Sequence, residues 1–182
     1  MKAGLDRGEA AVHIASPESP SEIKEAMERF GIEVDRLGRS GVLHVLDYRD
    51  CYIIRSKFSI SRTIAFWKRL LNESLANGLK GLRAAGEMAC FFEKGMVKEL
   101  VEYERALRRV FELPMTGICA YGTKVVVKEG RGELFLDLIK AHGVVIIIGP
   151  QGGVVKTKRE AHMIRSGGEA DWLRRFYYGD QT

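Results

Sequence analysis

The sequence predicts an α/β domain of three layers, in which a mostly parallel central sheet carries helices on both faces. Short apolar runs alternate about five times with segments whose apolar residues keep helical spacing. This alternation is typical of right-handed crossovers between parallel strands. The 182 residues fit one domain and can bury a sizeable core.

The apolar runs place the strands, and capping signals place the helix between the first two. Ser19, Pro20 and Glu22 form an S-x-x-E capping box with proline at the first helical position. The predicted strands are Ala10–Ala15, Val42–Leu46, Leu79–Ala85, Met115–Tyr121 and Val144–Ile148. The last run, VVIII, is the most β-prone, so it is predicted to lie centrally and to be buried on both faces.

We expect residues 1–182 to form one domain, with 151–182 as a basic C-terminal extension that ends in a helix. Much of the net charge of +5 lies late in the chain. A basic extension suits a solvated helix face, and it can also meet nucleic acid, an anionic ligand or an acidic partner. The chain has no zinc-finger, homeodomain or RNP-type signature, which makes nucleic acid the minor alternative.

Residue patterns argue against several other classes of protein. Cys51, Cys90 and Cys119 lie far apart without a C-x-x-C pair, which disfavours a zinc site and a disulfide scaffold. The histidines form no metal-binding pattern, so we expect neither a metal nor a cofactor. Met1–Gly8 does not resemble a signal peptide, and Val144–Ile148, the longest apolar run, is too short to span a bilayer. These observations predict a cytoplasmic protein without a membrane segment.

A phosphate-binding loop is not recognisable in the chain. The nearest match starts at Gly149 and reaches Lys156-Thr157, but its spacing differs from G-x-x-x-x-G-K-[ST]. No nucleophile elbow or dinucleotide fingerprint is present either. The sequence therefore favours a binding module over an enzyme.

Polar residues at the ends of two predicted strands form a candidate pocket. Glu87 follows the third strand, and ligands of open α/β sheets bind beyond the carboxyl ends of strands. Cys119 and Tyr121 are two residues apart and therefore project from one face, while Tyr103 and Glu104 lie on the helix between the strands. The set resembles a small-molecule pocket. The alternative, that Cys119 is a plain core residue, stays open.

These residues carry a resemblance to the MEDS domain, the sensory domain of DcmR-type regulators of methanogens and methylotrophs. The segment Leu5–Asp47 is also similar to the part of KaiC-like and other RecA-related ATPases that follows their phosphate loop. The resemblance covers roughly residues 5–150. The positions that match the MEDS pattern are Gly81, Arg83, Gly86, Glu87 and Met88 in G-x-R-x-x-G-E-M, Tyr103 and Glu104, Cys119 and Tyr121, and His142 at a helix end.

The resemblance implies a RecA/KaiC-like fold without the Walker A segment and a non-catalytic sensory function. The implied ligand is a small organic molecule, such as a hydrocarbon derivative, or an anion, and a signalling protein is an alternative partner. The predicted ligand-binding residues are Arg83, Glu87, Tyr103, Glu104, Cys119, Tyr121 and His142. Arg83 is expected to pair with an anion or to hold Glu87. Gly122 stands where the family usually has aspartate.

Two further functions stay open. In a degenerate nucleotide-binding ATPase, Glu87 would orient water or Mg²⁺. In an interaction protein, a sheet edge or the basic extension would bind a partner or a second copy of the chain, which makes a homo-oligomer plausible.

Overall fold

The computed structural model describes residues 1–107, 114–122, 132–148 and 154–158. Internal contacts divide the chain into two compact units, Met1–Val125 and Val126–Thr182. The predicted helix at the end of the basic extension lies outside the described residues. That residues 1–182 form one domain remains a prediction.

The first unit alternates helices and strands, as predicted. Its strands are β1 (Ala10–Ala15), β2 (Leu43–Asp47), β3 (Ile53–Ile54), β4 (Lys57–Phe58), β5 (Leu82–Glu87) and β6 (Met115–Ala120). Its described helices are α1 (Lys2–Leu5), α2 (Pro20–Arg29), α3 (Val34–Arg39), α4 (Tyr48–Cys51), α5 (Ile60–Ala76), α6 (Ala89–Glu93) and α7 (Val97–Leu107). The capping box at the start of α2 is confirmed, because the Ser19 side chain accepts from the Glu22 N–H and the Glu22 carboxylate accepts from the Ser19 N–H.

The central sheet of the first unit has four parallel strands in the order β2-β1-β5-β6. β3 and β4 form a separate antiparallel pair. Within the sheet, Val12 pairs with His44 on one side and with Ala84 on the other, and Gly86 pairs with Cys119. Paired residues of parallel strands point to the same face, so this register defines two faces of the sheet.

Helices cover both faces of this sheet, which confirms the predicted layers. On one face, Ala11 and Leu43 pack with Met27 of α2 and Val34 of α3, and α1 contributes Leu5. On the other face, aromatic side chains from several elements pack together behind β5 and β6. These side chains are Tyr52, Phe58, Trp67, Phe91 and Tyr103.

The second unit overturns the prediction for Val144–Ile148. This segment is β7, and it pairs antiparallel with β8 (Val154–Lys158) in a sheet of its own, after α8 (Gly132–Ala141). Val144 and Ile146 are 52% and 58% exposed, so the strand is not buried on both faces. Five residues separate β7 from β8, which suits a hairpin, whereas a parallel neighbour needs a long crossover. Of the segment after Pro150, the described residues Val154–Lys158 form a regular strand, which the sequence did not predict.

Gly81 permits a close approach between β5 and the residue before β6. A Cβ atom at Gly81 would overlap the backbone oxygen of Pro114, which accepts the Leu82 N–H at 3.0 Å. We predict that Gly81→Ala lowers the free energy of unfolding by about 1–3 kcal/mol, because the backbone must shift. Gly38→Ala in α3 is the matched control, since the nearest atom lies 3.9 Å from the added Cβ.

The Gly38→Ala variant should be neutral or gain up to about 1 kcal/mol through its helix propensity. Urea unfolding followed by circular dichroism measures both variants. Equal stabilities of the two variants would contradict the steric explanation.

Candidate functional site

The carboxyl end of the sheet has a topological switch point between β1 and β5. From β1 the chain continues to β2 on one side, and it later returns to β5 on the other side. Connections that leave in opposite directions open a crevice beyond the two strands, and ligands of open α/β sheets bind there. Ser16 and Glu18 follow β1 at this crevice, and Glu87 ends β5.

The loop after β1 is tied to the start of α6 at this crevice. Ser16 is 2% exposed, and its Oγ accepts the backbone N–H of Cys90 at 3.2 Å. Burial raises the pKa of the Cys90 thiol to about 11, which leaves the thiol neutral and unreactive at physiological pH. Ser16 therefore fixes the loop after β1 to α6, and the Cys90 thiol offers no reactive group there.

Alternation along β5 separates the predicted site residues onto two faces. Leu82, Ala84 and Gly86 are buried, whereas Arg83 and Glu87 on the opposite face are partly exposed. Because Gly86 pairs with Cys119, the thiol shares the face of Gly86 and not that of Glu87. The structure therefore does not bring Glu87 and Cys119 into one pocket.

Glu104, Cys119 and Tyr121 do come together, on the face that α7 covers. The Glu104 carboxylate is 3% exposed and accepts a short hydrogen bond from the Tyr121 hydroxyl. The Cys119 thiol donates to the same carboxylate at 3.6 Å. Burial, together with the nearby Glu104 charge, raises the pKa of Cys119 and that of Tyr121 well above their usual values. Both groups are thus neutral donors at physiological pH, and Cys119 is not an activated nucleophile.

Tyr103 belongs to the adjoining aromatic cluster. Its hydroxyl accepts the Trp67 Nε1–H at 2.7 Å, and the Tyr52 ring packs edge-on with its centroid 5.9 Å away. The cavity that these side chains share with Gly86 and Cys119 has a volume of about 20 Å³. This is room for about one water molecule. The Tyr103 side of the predicted pocket is therefore a packed core in this conformation.

Arg83 lies near the other end of the sheet, and its expected contact with Glu87 is wrong. Its guanidinium donates to the Glu9 carboxylate at 2.8 and 3.2 Å. This ion pair lowers the pKa of Glu9, chiefly through the Arg83 hydrogen bond. Arg83 and Glu87 are four positions apart on an extended strand, which corresponds to about 13 Å. Arg83 therefore joins the start of β5 to the start of β1.

Glu87 faces other carboxylates rather than a guanidinium. Burial raises the pKa of Glu87, and the charges of Glu18 and Glu93 add to this effect. The described side of the crevice around Glu87 is consequently acidic. Such surroundings favour a neutral or cationic ligand over an anion.

His142 belongs to the second unit, where it follows the last residue of α8. Its Nδ1 donates to the Leu138 carbonyl oxygen at 2.7 Å. This contact satisfies a carbonyl at the helix end, in agreement with the position after a helix that the sequence predicts. Its role in ligand binding remains a prediction.

Three residues that shape the site are not among the predicted site residues. Tyr52 and Trp67 belong to the aromatic cluster, and Ser16 anchors the crevice. Tyr52 also lies close above β5, because a Cβ at Gly86 would come within 3.3 Å of its hydroxyl oxygen. A hydrophobic pattern shows that such residues are buried, but it does not show which distant strand they contact.

Comparison with solved structures defines the class of fold. A KaiC-like protein from the hyperthermophilic archaeon Pyrococcus horikoshii has a TM-score of 0.58 and 14% identity, over 86% of this chain and 70% of that one. The chain thus has a RecA/KaiC-like α/β fold.

No curated protein matches the chain. Residues 1–142 match MEDS, the methanogen/methylotroph DcmR sensory domain, and the chain belongs to this family. Membership supports a sensory or regulatory role.

The hydrogen bond from Tyr121 to Glu104 yields a stability prediction. Tyr121→Phe should lower the free energy of unfolding by about 1–3 kcal/mol, because the buried carboxylate loses a donor. Tyr48→Phe, on α4 outside the cluster, is the matched control and should change stability by less than about 0.5 kcal/mol. Urea denaturation measures both. A Tyr121→Phe variant as stable as the control would refute a stabilising hydrogen bond between Tyr121 and Glu104.

The raised pKa of Glu87 yields a pH prediction. Folding favours its protonated form, so its ionisation costs stability as the pH rises above the ordinary value of 4.5. Glu87→Gln should therefore increase the free energy of unfolding at pH 7, and the gain should disappear below about pH 4. Glu25→Gln on the exposed side of α2 is the control. A gain that persists unchanged at acid pH would show a cause other than ionisation.

Proposed function

We propose that this chain is a non-catalytic sensory domain that binds a small neutral or cationic organic ligand in the crevice between β1 and β5. The observation that carries the proposal is the switch point between these strands, since such crevices are the usual ligand sites of open α/β sheets. Membership of the MEDS family supports sensing as the purpose of binding.

The charges at the crevice support the class of ligand. Glu18 and Glu93 already raise the pKa of Glu87, so an added anion would meet the same repulsion. A cation would relieve it and lower that pKa. Arg83, the guanidinium that was expected to receive an anion, is held by Glu9. This balance disfavours polyphosphates, and with them the alternative of a degenerate ATPase.

A sensory domain must pass ligand binding on to a protein partner, and we propose that this partner binds at β6. We also propose that the protein acts in the cytoplasm. This strand is at one edge of the central sheet, and its segment MTGICA carries no charge and no proline. Ile118 on this strand is 46% exposed. Uncharged edges accept added strands, so β6 suits a signalling partner or a second copy of the chain.

Among the helices of described residues, none is long and apolar enough to cross a membrane.

Titration followed by amide NMR tests the crevice. Tetramethylammonium should shift the Ser16, Glu18 and Met88 amides in a saturable manner, whereas acetate and Mg²⁺–ATP at equal concentration should not. Glu87→Gln should weaken tetramethylammonium binding about tenfold, because it removes one charge from the crevice. Glu25→Gln should leave the affinity unchanged.

Two outcomes would overturn the proposal. Micromolar binding of Mg²⁺–ATP at these amides would favour the nucleotide-binding alternative. A Glu87→Gln variant that binds tetramethylammonium as well as the native chain would remove the crevice from consideration.

A further inference from the structure

A cleft of about 160 Å³ lies between the β1–β2 side of the sheet and the C-terminal half of α5. It is distinct from the crevice at the switch point, because none of its lining residues borders that crevice. Its apolar floor consists of Val12, Leu70 and Leu82, which are 0%, 8% and 1% exposed. An engineered apolar cavity of about 150 Å³ binds benzene. The cleft therefore has room for an organic body of about five or six heavy atoms.

The rim of the cleft offers hydrogen-bond acceptors. His44 Nε2 donates to the Gly41 carbonyl oxygen at 3.1 Å, so Nδ1 is the ring nitrogen that remains for a ligand. Glu73 adds a carboxylate, and Asn77 caps the C-terminus of α5. A helix C-terminus carries partial negative charge and attracts cations. The rim consequently suits a ligand head that donates hydrogen bonds and carries positive charge.

We propose that this cleft is a second ligand site, which takes a short primary alkylammonium ion. The alkyl chain lies on Val12, Leu70 and Leu82, and the ammonium group donates to Glu73 and His44. An ammonium head has three donors and no acceptor, which matches a rim of acceptors. For a ligand of five heavy atoms, we expect a Kd on the order of 1 mM. The site does not depend on the proposed crevice, so either assignment can fail alone.

Arg69 provides an internal competitor. Its Nη1 donates to the Glu73 carboxylate at 3.0 Å, one turn apart on α5, and both side chains are more than half exposed. Exposed ion pairs of this kind are weak, so a ligand can displace Arg69. Removal of Arg69 frees the carboxylate, and the affinity for an ammonium ion should then increase.

Three probes of four carbon atoms each, with different head groups, test the class of ligand. Butylammonium, butanol and butyrate are titrated into the full chain, and the amide shifts of His44, Leu70 and Ser74 are followed by NMR. Butylammonium should bind best, butanol more weakly and butyrate least. Equal shifts for all three, or no saturation by butylammonium up to about 20 mM, would overturn the proposal.

Variants test the place of binding. Ser74 is 7% exposed and lines the cleft, so Ser74→Leu should fill it and weaken butylammonium binding at least tenfold. Asn72→Leu, on the exposed side of α5, is the matched control and should bind normally. Glu73→Gln should weaken binding several-fold, and Arg69→Gln should strengthen it.

Because Ser74→Leu can disturb the packing of α5, circular dichroism and the spectrum of the free variant are recorded first. If that variant is misfolded, the opposite shifts in Kd of Glu73→Gln and Arg69→Gln decide the matter. Unchanged affinity for butylammonium in both Glu73→Gln and Arg69→Gln would refute the cleft as the binding site. A loss of affinity in Asn72→Leu as large as that in Ser74→Leu would refute it as well.

Discussion

The position of β5 between β1 and β6 is the constraint on which the rest of the first unit depends. Ile14 of β1 and the Tyr52 hydroxyl approach this strand closely at Gly86, where an added Cβ would lie 3.2 Å from the Ile14 Cβ and 3.3 Å from the Tyr52 oxygen. Its two-residue alternation then sends Arg83 and Glu87 to one face and Gly86 to the other. The aromatic cluster fills the space above Gly86. A single strand thus determines which polar groups can meet and which cannot.

Packing and ion pairing therefore explain most residues of the MEDS pattern on and beside β5. Gly81 admits the Pro114 carbonyl, Gly86 admits Tyr52, and Arg83 pairs with Glu9 near the start of the sheet. Each of these residues would be needed for packing even if no ligand existed. Glu87 differs, because folding raises its pKa and thus works against its ionised form. A residue that costs stability at neutral pH is a better indication of function than one that packs well.

Local patterns were sufficient to predict much of the fold. Apolar runs located β1, β2, β5 and β6, and the capping box located the start of α2, because burial of a strand and capping of a helix depend on neighbours in sequence. Long-range pairing was not predictable in the same way. Arg83 and Glu9 are 74 residues apart, and nothing local distinguishes Glu9 from Glu87 as partner. The VVIII run shows apolar character, but not whether its neighbour is a central strand or the hairpin partner β8.

The chemistry of the cluster around Glu104 also bears on the choice between sensing and catalysis. Burial and the Glu104 charge keep the Cys119 thiol and the Tyr121 phenol protonated, and nucleophilic chemistry would require the opposite shift. A buried carboxylate held by neutral donors is instead sensitive to small movements, because a weaker hydrogen bond from either donor reduces the stabilisation of the buried group. Cys119 pairs with Gly86, which precedes Glu87, so the strand register connects the end of β5 with this hydrogen bond. We infer that the proposed ligand at the crevice would act on the Glu104 cluster through this register.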